Sequence, residues 1–398
     1  MGERVVEWSD LPKDLLPMIG KSLDARVDVL RFRGVCTSWR SSIPPFHAHS
    51  SRFPLKFPEP RSALESASMS RQPVYLCEST LYLLQPVNPF PTSTSSCNKG
   101  WLIKVQESNS GKLRLLDPLP NHKYRCSPVT PNTLNLLKFR VVELRKSHML
   151  RFDVATPPRS ETERDRDLSY RCNRSIPWVN KVVMLPSSAW TDEDESAVFV
   201  IFNWGKLAFA KCGDEKWTLV GDQSLEYDDI IVYKGQFYVV DHRLGNVWWI
   251  NCSSLTLVKF SPPVCGLGNQ KHLVESCGAL YVVDRYFDGE RRRMENNFRR
   301  RNLPKTVGFK VYKLDEEGGG WVLLKSLGDR AFVLGADCCF SVSAKEFVGC
   351  KGNCIYFIDQ HESHIFSLED DSIADLPFFT DDSRPFWEAP TWLSSANP

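Results

Sequence analysis

A short segment that repeats along the second half of the chain restricts the choice of fold more than any other feature. Gly235 to Asp241 (GQFYVVD) and Gly278 to Asp284 (GALYVVD) are near copies, and Gly352 to Asp359 (GNCIYFID) is a looser third. The tyrosines of the first two copies lie 43 positions apart, and the third follows after 75. That longer gap fits one further unit plus an insertion of about thirty residues, as expected of a fold built from repeats.

The sequence around these copies consists of short β-branched and aromatic runs separated by Gly, Pro, Asn and Asp, which predicts many short strands in a sandwich, a barrel or a propeller. A second strand-like element recurs at Trp217-Thr-Leu-Val, Leu255-Thr-Leu-Val and Trp321-Val-Leu-Leu. Several strands in a unit of roughly 40 to 50 residues favour a β-propeller, whose ring closure protects the sheet edges. Strand groups begin near residues 73, 120, 178, 227, 270 and 332, which predicts about six blades, with five or seven as alternatives.

Each part of the repeated segment has a structural interpretation. The glycine is expected to make a hairpin turn, the apolar run an inner strand, and the aspartate a cap on the next turn. The fold class predicted for the whole chain is mainly β, with a small helical module at its N-terminus.

The first fifty residues have helical spacing instead. Two apolar groups recur every three or four residues, which predicts two amphipathic helices. The first group is Leu15, Leu16, Ile19 and Leu23, and the second is Val29, Phe32, Val35 or Cys36, and Trp39. Asp28 stands where a carboxylate can cap the start of the second helix, and Pro17 predicts a short or bent first helix. Helices this short are marginal alone in water, so they need a partner surface.

About a dozen residues of this segment resemble the F-box signature, LP..LL..I...L followed by D.L..R.VC..WR. They are Leu11, Pro12, Leu15, Leu16, Ile19, Leu23, Asp28, Leu30, Arg33, Val35, Cys36, Trp39 and Arg40. The resemblance implies a three-helix motif that inserts into a hydrophobic groove of a Skp-type adaptor. The adaptor-binding residues that it implies are Leu11, Pro12, Leu15, Leu16, Ile19, Leu30, Val35, Cys36 and Trp39. The alternative is a local core under the rest of the protein, and for Trp39 internal packing is at least as well supported.

The predicted domains are an F-box module at residues 1-50, a serine-rich linker at 51-72 and a propeller-like domain at 73-398. This order resembles a plant family of F-box proteins with a C-terminal KIB-type β-propeller of unknown function. The resemblance implies a substrate receptor of an SCF-type cullin-RING ubiquitin ligase, which binds the Skp-type adaptor and, through it, the cullin and RING subunits. It implies an unknown target protein on the propeller and assigns no substrate-binding residue there.

Charge and composition exclude other classes of partner. With 50 Lys and Arg against 48 Asp and Glu, the net charge of +2 gives no reason to expect nucleic acid or a membrane. The first ten residues lack the apolar core of a signal peptide, and no run reaches the roughly 18 apolar residues of a membrane span. The expected location is the nucleus, the cytoplasm or both. The 13 cysteines, an odd number, are interpreted as reduced core residues.

Two groups of residues are candidates for a zinc site, Cys350 with Cys354, and Cys265 with His272 and Cys277. Neither has the paired short spacing of a closed four-ligand site, and the first two are interpreted as buried strand thiols on either side of a hairpin turn. The sequence lacks nucleotide-binding loops, nucleophile elbows and metalloprotease motifs. It therefore predicts no catalytic residue, no metal and no cofactor.

A basic segment at residues 285–305 is the most unusual local feature. It contains two triplets, Arg291, Arg292 and Arg293, and Arg299, Arg300 and Arg301. Such clusters can act as nuclear-localisation signals. The favoured interpretation is a solvated loop within a blade, with nuclear entry as a hypothesis to test.

Two other functions stand as alternatives to the substrate receptor. The first is a regulatory protein that binds the adaptor without ubiquitination of any target, which the sequence does not separate from a receptor. The second is a propeller enzyme or small-molecule sensor that uses the central channel, which inward-facing polar residues there would favour.

Overall fold

The computed structural model describes residues 11–23, 25–44, 74–87, 99–107, 113–119, 139–152, 176, 179–185, 197–203, 205–211, 214, 216–222, 224–264, 266–289, 304–347, 349–359 and 362–376. The predicted linker and both arginine triplets lie outside these residues. The longest described helix has nine residues, and none in this part of the chain is long and apolar enough to cross a membrane.

Three short helices form the N-terminal module: α1 (Leu15–Lys21), α2 (Arg26–Gly34) and α3 (Thr37–Ser42). The first is short, as Pro17 predicts, and the proline sits in the first turn, where its missing N–H costs no hydrogen bond. The prediction that Asp28 caps the second helix was wrong. The helix begins two residues earlier, and Asp28 instead pairs with Arg31 at 3.0 Å inside the first turn.

The described strands fall into five groups along the chain. The first comprises β1 (Val74–Pro86), β2 (Trp101–Glu107), β3 (Leu113–Leu116) and β4 (Phe139–Phe152). The second comprises β5 (Val179–Leu185), β6 (Ala197–Phe202), β7 (Lys206–Lys211) and β8 (Thr218–Leu219). The third comprises β9 (Tyr227–Tyr233), β10 (Gln236–Asp241), β11 (Val247–Asn251) and β12 (Thr256–Lys259), and the fourth β13 (Gln270–Ser276), β14 (Ala279–Phe287), β15 (Thr306–Asp315) and β16 (Gly320–Leu324). The fifth comprises β17 (Arg330–Leu334), β18 (Cys339–Ser343), β19 (Cys354–Asp359), β20 (Glu362–Ser367) and β21 (Ile373–Asp375).

The last three groups form one sheet each and the first two share a sheet, and three of the five groups are simple antiparallel meanders. The second, third and fourth groups pair in chain order, while the first has the order β3-β2-β1-β4. The first two groups join in one eight-stranded sheet, but β4 and β5 share a single residue pair, His148 with Val182, so each half is treated as its own sheet. The fifth group contains a parallel pair, β17 with β19.

Apolar side chains pack each sheet against the next and the last against the first. Five buried clusters do this, one for each neighbouring pair of sheets. Phe199 and Phe237 meet across the second and third sheets with ring centroids 4.4 Å apart, while Leu83 and Val333 belong to the cluster that joins the first and fifth. Strands between two covered faces are buried on both sides, and β10 buries five of its six residues. The described strands therefore form a closed ring of sheets, as the predicted propeller requires.

A buried ion pair spans the interface at which the ring closes. Lys104 Nζ on the first sheet lies 2.5 Å from Asp337 Oδ1 beside the fifth, and both side chains are almost fully buried. Burial alone would raise the pKa of the Asp337 carboxyl, but the Lys104 ammonium holds that pKa below its usual value. Since either charge alone would be costly to bury, the pair ties the two sheets together.

Five of the six predicted blade starts coincide with the first strand of a group, β1, β5, β9, β13 or β17. The start predicted near residue 120 falls outside the described residues. The next described strand, β4, pairs with β1 along almost its whole length and so belongs to the first sheet. The described strands therefore make five blades, the lower of the two alternatives to six.

The two near copies of the repeated segment begin with the same hairpin turn. Lys234 and Gly235 in one, and Cys277 and Gly278 in the other, all have positive φ, as the two-residue turns favoured by hairpins require. The strand that follows, β10 or β14, is second from the ring centre. The prediction of an inner strand was wrong, because β9 and β13 are the strands that contact the neighbouring sheets there.

The aspartate that ends each copy has a structural role. Asp241 accepts hydrogen bonds from the backbone N–H groups of Leu244 and Gly245, at 2.8 and 3.0 Å, and so caps the turn after β10. Asp284 accepts the N–H of Gly268 at 3.0 Å. The third copy departs from this pattern, because β19 does not pair with the strand before it, β18. It pairs in parallel with β17 and forms its hairpin with the following strand, β20.

The other recurring element marks the outer edge of three successive blades. The Trp217, Leu255 and Trp321 segments contain β8, β12 and β16, the outermost strands of the second, third and fourth sheets. The cysteines of the described residues are free thiols. Cys350 and Cys354 are both buried, but Cys350 lies outside the strands, so the expected hairpin between them is not formed.

Candidate functional site

The three N-terminal helices share a small apolar core. Leu16 of α1, Val29 and Phe32 of α2, and Ile43 after α3 are almost fully buried and pack together. A Cβ atom on Gly20 would collide with Ile43, so glycine is what allows α1 to approach the end of α3 this closely. The helices therefore form a folded module and not three independent segments.

Two arginines join α2 to α3 through backbone carbonyl groups. Arg33 Nη1 donates hydrogen bonds to the carbonyl oxygens of Arg40, at 2.9 Å, and Ile43. Arg40 Nε donates in return to the carbonyl oxygen of Arg33 at 3.3 Å. The rings of Phe32 and Trp39 reinforce the junction with centroids 4.5 Å apart. Both arginines belong to the sequence signature. The spacing of apolar residues could not predict that they join the two helices, because these contacts are polar.

One face of α1 presents large apolar side chains to solvent. Leu15, Met18 and Ile19 are 42%, 69% and 37% exposed, and their i, i+3, i+4 spacing places them on the same side of the helix. Leu30 and Val35, on α2 and just after it, are about half exposed. A patch of exposed large apolar groups on a small module indicates a docking site for another protein. We call Leu15, Met18 and Ile19 the α1 face.

The nine residues implied as adaptor contacts divide by exposure. The exposed ones are Pro12, Leu15, Ile19, Leu30 and Val35, and the partly buried ones are Leu11, Cys36 and Trp39. Leu16 is 1% exposed and lies in the core of the module, so its side chain is turned away from the surface on which its neighbours lie. Met18 was missed by the sequence analysis, although its position one helical turn after Leu15 was a signal that could have found it.

The module is held on the first blade of the ring. Val27 of α2 packs with Tyr82, Leu84 and Val141 of that blade. Arg31, one turn further along α2, donates a hydrogen bond from Nη1 to the carbonyl oxygen of Val141 at 3.3 Å. Apolar packing and a hydrogen bond one helical turn apart fix the position of α2 on the ring.

A second candidate site lies at the ring centre, where polar side chains line a cavity of about 320 Å³, counting the part open to solvent. Two of its charged residues already have partners. Lys181 Nζ lies 3.0 Å from Asp229 Oδ1, and Asp337 is paired with Lys104. Because these groups neutralise one another, the cavity gives weaker support for an organic ligand than the α1 face gives for a protein partner.

Residues 74–373 match the sequence model of a family described as KIB1-4 beta-propeller. The chain belongs to this family. The match to the KIB1-4 beta-propeller begins at the first residue of β1 and ends in β21, so it coincides with the ring and leaves the helical module outside. The mainly β propeller predicted from the repeats is confirmed.

Curated relatives from Arabidopsis thaliana extend the similarity beyond the KIB1-4 beta-propeller. F-box protein At4g35733 is 33% identical over 390 residues, 94% of this chain and 95% of the relative. F-box protein At2g26160 is 32% identical over 375 residues, 91% and 98% of the two chains. F-box protein SKIP23 is 30% identical over 419 aligned residues, 98% and 96%. An alignment over 98% of the chain includes the helical module, so the predicted plant F-box protein with a KIB-type propeller is confirmed.

Proposed function

We propose that this F-box protein is the substrate-recognition subunit of an SCF-type cullin-RING ubiquitin ligase. The α1 face enters the hydrophobic groove of a Skp-type adaptor, and the adaptor connects the chain to the cullin and RING subunits. Exposed apolar anchors at i, i+3 and i+4 of a helix are what helix-in-groove recognition uses. The observation that carries the proposal is that Leu15, Met18 and Ile19 stay exposed on a module that has a packed apolar core of its own.

The chain contributes binding and geometry, and other subunits of the ligase carry the catalysis. The propeller presents a target protein, and α2 fixes the module to its first blade through Val27 and Arg31. A target bound to the ring is then held at a defined position relative to the adaptor. A rigid connection of this kind suits transfer of ubiquitin by a separate enzyme, because holding the reacting groups close together and correctly oriented lowers the barrier to the reaction.

Co-purification of the full-length chain with a Skp-type adaptor tests the proposal. The wild type should bind, and a Leu11→Ala, Pro12→Ala, Leu15→Ala variant should lose the adaptor. A wild type that binds no Skp-type adaptor would overturn the proposal. Accumulation of a propeller-bound protein when the ligase is inhibited distinguishes a receptor from a regulator that leaves its partners unmodified.

We place the protein in the nucleus, the cytoplasm or both, with the two arginine triplets as the nuclear-entry signal. The triplets, at residues 291–293 and 299–301, lie outside the described residues, so the proposal rests on their sequence. Replacement of all six arginines by alanine should keep a fluorescently tagged chain out of the nucleus, while replacement by lysine, which retains the charge, should not. Equal nuclear signal in the alanine variant would refute this role.

A further inference from the structure

Three strands from three different sheets bring potential metal ligands together at the ring centre. Asp229 lies on β9, His272 on β13 and Cys339 on β18. The sulfur of Cys339 lies 3.6 Å from Asp229 Oδ2 and 3.9 Å from His272 Nδ1, and one ligand atom of each residue lies within 4.8 Å of the others. We call these three residues the central triad.

The two distances from the Cys339 sulfur to the other members of the central triad fit a tetrahedral zinc ion. Zinc binds thiolate sulfur at about 2.3 Å, and imidazole nitrogen and carboxylate oxygen at about 2.0 to 2.2 Å. At tetrahedral angles these lengths place neighbouring ligand atoms roughly 3.3 to 3.6 Å apart. The two distances that involve Cys339 Sγ are therefore within a few tenths of an ångström of what a shared ion requires.

The surroundings hold the triad in place. The Asp229 carboxylate accepts hydrogen bonds from the backbone N–H groups of Ile230, at 2.8 Å, and Leu273, at 3.0 Å, which set its orientation. Asp229 and Cys339 are almost fully buried, and Cys339 lines the central cavity. Outer hydrogen bonds of this kind orient the ligands of known metal sites.

Lys181 of β5 supplies a positive charge at the same place. Its Nζ lies 3.0 Å from Asp229 Oδ1 and 3.5 Å from Cys339 Sγ, so one ammonium contacts two members of the triad. A buried carboxylate needs a counter-charge, and a flexible lysine side chain can provide one or withdraw toward the cavity. The ammonium therefore contacts the same carboxylate and sulfur that a bound cation would contact.

We propose that Asp229, His272 and Cys339 bind a thiophilic divalent cation, zinc by preference, and that the Lys181 ammonium takes its place in the metal-free chain. On binding, the Cys339 thiol gives its proton to solvent, the imidazole nitrogen and the carboxylate oxygen join the sulfur as ligands, and Lys181 moves away from the ion. Because the ligands come from the third, fourth and fifth blades, the ion links three sheets of the ring.

Cobalt(II) in place of zinc gives a direct readout, because a cobalt–thiolate bond produces a charge-transfer absorption band. The untagged full-length chain is freed of metal by a chelator and titrated with Co²⁺. The wild type should develop the band with saturation at one equivalent, and Cys339→Ser should lose it and bind Co²⁺ more than roughly tenfold more weakly. Cys338→Ser is the matched control, since that buried neighbour is outside the triad, and it should retain the band.

Lys181→Met separates a metal site from a purely structural charge network. This variant leaves Asp229 without its ammonium and should be less stable than the wild type, and Zn²⁺ should restore its melting temperature. The absence of a Co²⁺ band in both the wild type and Lys181→Met, or a band that persists in Cys339→Ser, would overturn the proposal. Adaptor co-purification should be the same in Cys338→Ser and Cys339→Ser, so this result is independent of the proposed ligase role.

Discussion

Truncation of the α1 face should remove adaptor binding while the protein stays folded. The variant is Leu15→Ala, Met18→Ala, Ile19→Ala. All three side chains are substantially exposed in the chain alone, so the internal core of the module is left intact. Alanine is also the best helix former, which keeps α1 itself favourable.

The size of the effect follows from the apolar surface that the complex would cover. Full burial of a Leu, Ile or Met side chain contributes about 2 kcal/mol. Scaled by exposed fractions of 42%, 69% and 37%, the three side chains together offer about 3 kcal/mol to a groove that covers them completely. Loss of that binding free energy raises the dissociation constant roughly 150-fold.

The assay is titration calorimetry or surface binding of the full-length variant against a purified Skp-type adaptor. A matched control removes three exposed apolar side chains from the outer strands of the ring, Leu219→Ala, Val258→Ala, Val322→Ala, and should bind as the wild type does. Leu16→Ala is the opposite control. It should cost roughly 2 to 5 kcal/mol of folding free energy in the module, because it leaves a cavity where the side chain was buried.

Two results would refute the reasoning. One is wild-type affinity in the α1-face variant with an intact melting curve, which would move the docking surface elsewhere. The other is equal loss of affinity in the ring control, which would mean that the binding reports nonspecific apolar contact.

Three further predictions concern the ring. Asp337→Ala should lower the free energy of unfolding by about 3 to 5 kcal/mol in a denaturant titration, because it leaves the Lys104 ammonium buried without its counter-charge. The double variant Asp337→Ala, Lys104→Met should recover most of that loss. Asp241→Ala should lower the free energy of unfolding by about 2 to 4 kcal/mol, because several hydrogen-bond donors of the turn lose their acceptor. Asp241→Asn should lower it less. Equal melting temperatures for the wild type and both variants would contradict the capping role. Burial raises the pKa of Cys350 to about 12, so at pH 8 only roughly one Cys350 thiol in ten thousand is ionised. Peptide mass spectrometry after brief alkylation should therefore find the exposed Cys277 modified before Cys350, and the reverse order would contradict the burial of Cys350.

The proposed module and ring also explain why the chain needs both parts. Helices of seven, nine and six residues are too short to be stable alone in water. Here they share an internal apolar core and pack on the first blade. The ring in turn uses the helices to cover Tyr82 and Leu84, which are buried in that contact. Binding of an adaptor would therefore act on a preformed surface and not on a disordered segment.

The elements that local physics controls could be predicted from the sequence. The hairpin turns at Lys234-Gly235 and Cys277-Gly278 follow from the need for positive φ, which glycine meets at little cost. The recurring strands predicted a ring, because a repeated sheet with two apolar faces has to be covered by its neighbours. The F-box signature and its helical spacing located α1 and the start of α2 to within a few residues. The prediction that the second apolar group forms one helix was wrong, because α2 ends at Gly34 and Trp39 lies on α3, which the resemblance alone implied.

Contacts between residues that are distant in the sequence depend on how the elements pack, and could not be predicted. Helical spacing places Leu15 and Leu16 one position apart, but which of them faces the core depends on where α2 and α3 pack, and the answer is Leu16. The blade number depended on β4, which returns to pair with β1 across more than fifty residues of chain, as the register shows. His272 was grouped by sequence distance with Cys265 and Cys277, whereas the ring places it beside Cys339, 67 residues away. Ring closure brings the inner strands of distant blades to one axis. Because those strands lie far apart in the sequence, no local sequence pattern predicts which of their residues come into contact.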